Sequence, residues 1–196
     1  MQKVTRINSI KRKTKETDIS ITLNLDGSGK AKINSGIGFF DHMLELFCVH
    51  GDFDMELECA GDIKVDGHHS MEDIGIVLGK LINKSLGEKV GIARYADVTV
   101  PMDEALIKVV LDISGRPHLS YNVGYSEKTG EFDTALVEEF FHALSSHGLL
   151  TLHIIKLDGK NNHHIAEAVF KAFARALSDA VKIVSNKIPS SKGMLE

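Results

Sequence analysis

One signal occurs twice in this chain, and that repetition limits its possible folds more than any other feature. His68-His69-Ser70-Met71-Glu72 and His163-His164-Ile165-Ala166-Glu167 both read His-His-x-x-Glu. Each opens an apolar-periodic run of helical length. Other signals recur around them in the same order. Ser28-Gly29-Lys30 matches Ser114-Gly115-Arg116, and His42 stands before His50-Gly51 as Glu139 stands before His147-Gly148. An internal repeat of this kind is read before any fold is assigned.

Each copy reads strand, strand, strand, helix, strand, helix. In the first, residues 3–10 and 17–25 are predicted strands, and Ile19, Ile21, Leu23 and Leu25 alternate with polar residues. Asp26-Gly27-Ser28-Gly29 is a turn, from which Lys30 to Ile33 is expected to return as a hairpin. Phe39, Phe40, Met43, Leu44 and Phe47 fit one helical face, residues 53–59 alternate again, and a helix runs from His68 to Gly87. The second copy has strands near Val98–Val100, at 105–113 and at 119–123, then a polar loop over 124–131. A helix over 132–146, a strand over 149–157, a long helix over 166–184 and a Pro/Ser/Gly tail over 187–196 complete it. The expected class is α+β: two tandem, pseudo-symmetric sheet-plus-helix halves, 1–92 and 93–196, in one compact domain.

Composition narrows the functional classes. A hydrophobic content of 43% with 26% charged residues is that of a water-soluble globular chain. A net charge of -4 argues against nucleic acid or an anionic membrane as the main partner. No stretch is long and apolar enough to span a bilayer, and the basic, polar start lacks the apolar core of a secretory signal. Cys48 and Cys59 lack a paired-motif spacing and read as small buried hydrophobes in a reducing cytosol.

The doublets themselves point to metal. On a helix, Glu72 lies beside His68 and His69, and Glu167 beside His163 and His164. Adjacent histidines diverge by about 100°, so a pair suits two ions, or one ion plus a substrate, better than a single ion gripped by both rings. Imidazole with carboxylate is a ligand set for Zn, Mn, Fe, Co or Ni. A metal store would need these ligands and nothing more.

The motifs along the chain resemble the imidazoleglycerol-phosphate dehydratase family of histidine biosynthesis. The carriers are Arg12-Lys13-Thr14-Lys15-Glu16-Thr17, Asn24-Leu25-Asp26-Gly27-Ser28-Gly29, Phe40-Asp41-His42-Met43 and Asp66-Gly67-His68-His69. Further on stand Pro101-Met102-Asp103-Glu104-Ala105, Ser114-Gly115-Arg116-Pro117, Thr151-Leu152-His153, the His163-His164 block and Pro189-Ser190-Ser191-Lys192-Gly193. The resemblance implies a duplicated fold similar to the second domain of ribosomal protein S5. It implies a cytoplasmic homo-oligomer of 24 subunits with active sites shared between them, and two manganese ions per site. The reaction implied is dehydration of imidazole glycerol phosphate to imidazole acetol phosphate.

The resemblance also implies roles. The metal ligands would be His42, His68, His69, Glu72, His163, His164 and Glu167, with Glu139 where the family often has histidine. Glu16, which the residues alone leave as a strand-edge surface charge, becomes the proton-transfer candidate, with Glu167 as the alternative base. Asp103 and His153 are expected to orient groups or assist proton transfer. Arg94, Arg116, Ser190 and Lys192 would hold the phosphate, arginine by its bidentate fork and lysine as a point charge.

Overall fold

A computed structural model describes residues 6–125 and 128–195. Of the expected elements, residues 3–5 of the first strand, 126–127 of the polar loop and 196 of the tail lie outside the described residues.

The first half comprises β1 (Ile7–Lys13), β2 (Thr17–Asn24), β3 (Ala31–Asn34), α1 (Gly38–Gly51), β4 (Asp54–Gly61) and α2 (His68–Leu86). The second repeats this plan with β5 (Tyr95–Met102), β6 (Ala105–Asp112), β7 (His118–Asn122), α3 (Leu136–Gly148), β8 (Thr151–Asp158) and α4 (Asn162–Ala180). The sheets have matching orders, β1-β2-β4-β3 and β5-β6-β8-β7. The expected α+β duplication is therefore what the chain adopts.

The strands after the Asp26 turn differ from the expectation. β3 does not fold back on β2; it pairs parallel with β4, while β2 pairs antiparallel with both β1 and β4. Asp54 explains the route. Its carboxylate accepts from the backbone N–H groups of Ser28 and Lys30, tying the turn to the start of β4. The hairpin is instead β1–β2, closed at Thr14–Thr17. Helix limits also shift. α3 starts at Leu136, because Phe132 bridges back to Thr129 and Asp133 accepts from Ala135 N–H. α4 starts earlier than expected, at Asn162, because the Asn161 side chain caps it by accepting from His163 N–H. It also ends earlier, at Ala180, and Ile183 then pairs with Ile92.

Alternation along the strands sets the layering. Ile19, Ile21 and Leu23 on β2, and Ile107, Val109 and Leu111 on β6, are buried against the helices. The four helices lie between the sheets and pair across the halves. Phe39 of α1 meets His163 of α4, and Phe47 meets Phe173. On the other side a Cβ at Gly75 of α2 would come 2.6 Å from Phe140 O, and one at Gly79 would come 2.5 Å from Leu144 O. Glycine at both positions lets α2 and α3 approach backbone to backbone. In both pairs contacts rise together along the two chains, so the paired helices are parallel. α1 and α2 both leave the same end of the parallel pair β3 and β4, so all four helix N-termini share one end of the molecule.

Candidate active site

That shared end collects most of the expected site residues. The β1–β2 and β5–β6 turns close there too, because Thr17 pairs with Gly61 at the end of β4 and Leu106 with Asp158 at the end of β8. Helix N-termini carry partial positive charge, which suits the carboxylate of Glu139 in the first turn of α3; Glu72 and Glu167 stand one turn further in, on α2 and α4.

The α4 doublet is closed. His163 Nε2 and His42 Nε2 lie 2.9 Å and 3.3 Å from the same oxygen, Glu167 Oε1. Lys171, one turn further, donates to the other oxygen at 2.6 Å. The candidate ligand atoms of His42, His163 and Glu167 all fall within 4.8 Å of one another. Glu167 is only 8% exposed. Burial works to raise its pKa, but hydrogen bonds from Lys171, His42 and His163 hold it down at about 2.

The α2 doublet is open. His68 Nε2 stands 3.9 Å from Glu72 Oε2, and Glu72 is half exposed. His69 donates Nδ1–H to Asp62 at 3.0 Å and turns Nε2 toward Glu16, 3.9 Å away. His164 mirrors it, donating Nδ1–H to Glu104 at 2.7 Å with Nε2 3.7 Å from Asp103. Each carboxylate fixes the tautomer and leaves Nε2 available as a ligand. The Asp62 hydrogen bond raises the His69 pKa, and the Glu104 hydrogen bond raises that of His164. Glu104 itself is pulled down to about 2, first by His164 and then by the N–H of Asn161. Glu139 is exposed in the first turn of α3, where it occupies the place that His42 holds on α1. Between the α1, α2 and α3 N-termini lies a cavity of ≈ 650 Å³ lined by Ile37, Phe39, Asp66, Lys128 and Leu136.

The phosphate candidates lie at the other end. Arg94 N–H donates to Ala180 O, the last residue of α4. Its guanidinium grips both oxygens of Asp112 at 2.7 and 3.1 Å, donates to Pro189 O at 2.7 Å and lies over the Tyr95 ring. Arg94 thus holds the tail bearing Ser190 and Lys192, with most of its donors engaged. Lys89 donates to Leu195 O and Gly91 N–H to Lys187 O, so the tail is strapped to the segment joining the halves. Arg116 is exposed before β7, and its carbonyl accepts from Thr151. His153, on the face of β8 turned away from the helices, has its ring centroid 5.5 Å from that of His118, the two rings tilted. It lines a cavity of ≈ 420 Å³ with Tyr95, Lys108 and Asp112. Within one chain it stands apart from the doublets.

Against known proteins, a family model for imidazoleglycerol-phosphate dehydratase matches residues 35–177. The chain belongs to the imidazoleglycerol-phosphate dehydratase family. The Caldicellulosiruptor saccharolyticus dehydratase is 54% identical over 97% of this chain and 98% of its own length. That of Alkaliphilus metalliredigens is 58% identical over 88% and 89%. The crystal structure of the Staphylococcus aureus dehydratase superposes with a TM-score of 0.83 at 44% identity, covering 91% of this chain and 99% of that one. The Pyrococcus furiosus dehydratase, solved in complex with (S)-C348, gives 0.82 at 35% identity, covering 95% and 100%. Membership of the imidazoleglycerol-phosphate dehydratase family makes the chain a hydro-lyase of histidine biosynthesis. No described helix is long and apolar enough to cross a membrane.

Asp62, Glu104 and Lys171 were not singled out from the sequence. Lys171 was legible there, since Glu followed by Lys four residues on is a helix-pair signal. Asp62 reaches His69 through the path of the loop between β4 and α2, and Glu104 reaches His164 from 60 residues away in the chain.

Proposed function

We propose that the chain converts imidazole glycerol phosphate to imidazole acetol phosphate with two divalent ions, manganese foremost, in sites shared among the subunits of a cytoplasmic 24-subunit assembly. The observation that carries the metal reading is the compact His42–His163–Glu167 group, two imidazole nitrogens and one carboxylate oxygen within 4.8 Å of one another. That donor set fits a first-row divalent ion. His68, Glu72, Glu139 and the free Nε2 atoms of His69 and His164 supply the remaining donors. Ions bound there provide Lewis acidity toward the substrate's ring and hydroxyl groups.

Glu16 serves as the proton acceptor. It stands beside His69 in the β1–β2 turn, and its carboxylate accepts no hydrogen bond among the described residues. Glu167 is engaged at both oxygens and is the poorer base. Glu16 takes the C–H proton from the carbon beside the one that loses hydroxyl, and the resulting enol becomes the ketone. Asp103, 3.7 Å from His164 Nε2, orients that ring or a substrate hydroxyl. His153 takes part from a neighbouring copy. Arg116, Ser190 and Lys192 hold the phosphate, with Arg94 fixing the tail.

Length supports sharing. Along α4, His163 and Ala180 are about 26 Å apart at ~1.5 Å per residue. That exceeds the reach of an imidazole carrying a three-carbon phosphate chain. A single chain's ligand cluster and its own Arg94-anchored tail therefore serve different substrate molecules.

Metal content and turnover measured on one assembled sample test the metal reading. Two ions per chain are expected, with turnover lost on chelation and restored by Mn2+; full turnover with one ion or none overturns it. For sharing, His163→Ala and Lys192→Ala proteins are dissociated, mixed and reassembled. Mixed oligomers should recover turnover that neither parent has, and mixed oligomers without recovery sink the shared site.

A further inference from the structure

A buried carboxylate paired with a partly exposed arginine lies behind the open doublet, and its place in the fold gives it a role. Asp73 follows Glu72 on α2 and is 6% exposed. Arg12 of β1 reaches Asp73 Oδ1 with Nε at 2.9 Å and Nη2 at 2.8 Å. Thr17, the first residue of β2, donates its hydroxyl to Oδ2 at 2.5 Å. One carboxylate therefore ties both strands of the β1–β2 hairpin to the second turn of α2.

The hairpin turn between Arg12 and Thr17 carries Glu16. Thr14 Oγ1 accepts from the N–H groups of Glu16 and Thr17, at 3.1 and 3.0 Å. Glu16 O accepts from Asp62 N–H, and Asp62 is the residue that orients His69. A continuous chain of bonds thus runs from Asp73 through Thr17 and the turn to Glu16 and His69. The second half reaches the same fold without it, because the residue after Glu167 is Ala168, fully buried. Ion pairs, exposed or buried, are weak sources of stability, so the fold alone does not call for a carboxylate at this position.

We infer that Asp73, through Thr17 and Arg12, is a positioning residue that sets the Glu16 carboxylate against the substrate. This rests on Glu16 as the proton acceptor. Misplacing a reacting group by an ångström lowers rate by up to about 100-fold, and a loss confined to the transition state leaves substrate affinity unchanged.

The test is a double-mutant cycle on the assembled, manganese-loaded enzyme, read as single-turnover rate, substrate Kd, metal content and oligomer size. Asp73→Asn should slow turnover about tenfold or more with Kd and metal content unchanged. In a Glu16→Gln background it should slow turnover less than twofold further, because the group it positions is already disabled. Thr17→Val removes a single hydrogen bond and should show the same pattern more weakly, while Thr17→Ser should restore the native rate. It keeps the question answerable if Asp73→Asn fails to fold. Additive losses in the Glu16→Gln background, near-native turnover of Thr17→Val, or a loss traced to Kd or metal content each overturn the positioning role. Near-native turnover of Glu16→Gln alone overturns the base assignment, and the positioning role with it.

Discussion

The two His-His-x-x-Glu doublets share a sequence pattern and a place in the repeat, yet one is closed and the other open. On α4, Glu167 is buried and takes hydrogen bonds from His42, His163 and Lys171. On α2, Glu72 is half exposed and stands 3.9 Å from His68. Two substitutions between the halves account for the contrast. The position on α1 that gives His42 is Glu139 on α3, a carboxylate where the closed cluster has a donor. Four residues beyond Glu167 is Lys171, whereas four beyond Glu72 is Ile76. The closed cluster neutralises itself within one chain. The open one gathers carboxylates and leaves the Nε2 atom of His69 without a close hydrogen-bond partner among the described residues. Identical local motifs thus acquire different electrostatics from what the helix beside them carries.

Removing the buried carboxylate breaks the comparison most. Glu167→Ala leaves Lys171 and two imidazoles without their shared acceptor, and should destabilise the chelated protein by about 3 kcal/mol. Glu72→Ala should change it by ~0.5 kcal/mol or less, as expected for an exposed pair. Denaturant unfolding at one fixed protein concentration measures both, since subunit association makes stability concentration-dependent wherever it occurs. Equal losses would mean that the open cluster is as well formed as the closed one.

Acid should act on the same difference. Glu167 and Glu104 have folded-state pKa values of about 2, below the ordinary carboxylate range. A depressed carboxylate contributes stability above its unfolded pKa and loses it as pH falls toward the folded value. The chelated protein should therefore weaken between about pH 4.5 and 2, and Glu167→Gln should flatten that limb. An unfolding series across this range that is identical for both proteins would contradict it.

A smaller effect is expected at Glu139. If the open cluster needs it as a ligand or as an outer carboxylate, Glu139→Gln should weaken metal binding at one of the two sites about tenfold and leave metal-free stability within about 0.5 kcal/mol. Isothermal titration with Mn2+ on wild type and variant checks this. Unchanged binding removes Glu139 from the metal set.

The smallest effect lies at higher pH. His69 and His164 have raised pKa values, set by Asp62 and Glu104. A raised histidine contributes stability below its unfolded pKa, near 6.5, and loses it as pH rises through the folded value. Both rings are partly open to solvent, so the chelated protein should lose only a slight amount of stability above neutrality. Asp62→Asn should remove part of that slope. A thermal-melt series from about pH 6 to 9 reads it.

Much of this protein was legible before its fold was known. The duplication, the α+β class and the membership of a dehydratase family follow from periodicity and from long motifs in a fixed order. Those signals are local, and local spacing determines which residues share a helix face or a strand face. Pairing across the molecule is another matter. Nothing in the spacing indicated that β3 would pair with β4 rather than β2, because that choice rests on Asp54 holding the preceding turn. Nor did it indicate that His42 would complete the second doublet rather than the first. That follows from α1 packing on α4 across the pseudo-twofold, which brings residues far apart in the chain onto one carboxylate oxygen. The separation of Arg94 from His163 was likewise invisible, since it depends on where the chain returns after α4. Sequence determined the chemical groups and their local directions. Only tertiary packing decided which of them meet, because burial, charge neutralisation and ligand geometry depend on neighbours that no local pattern specifies.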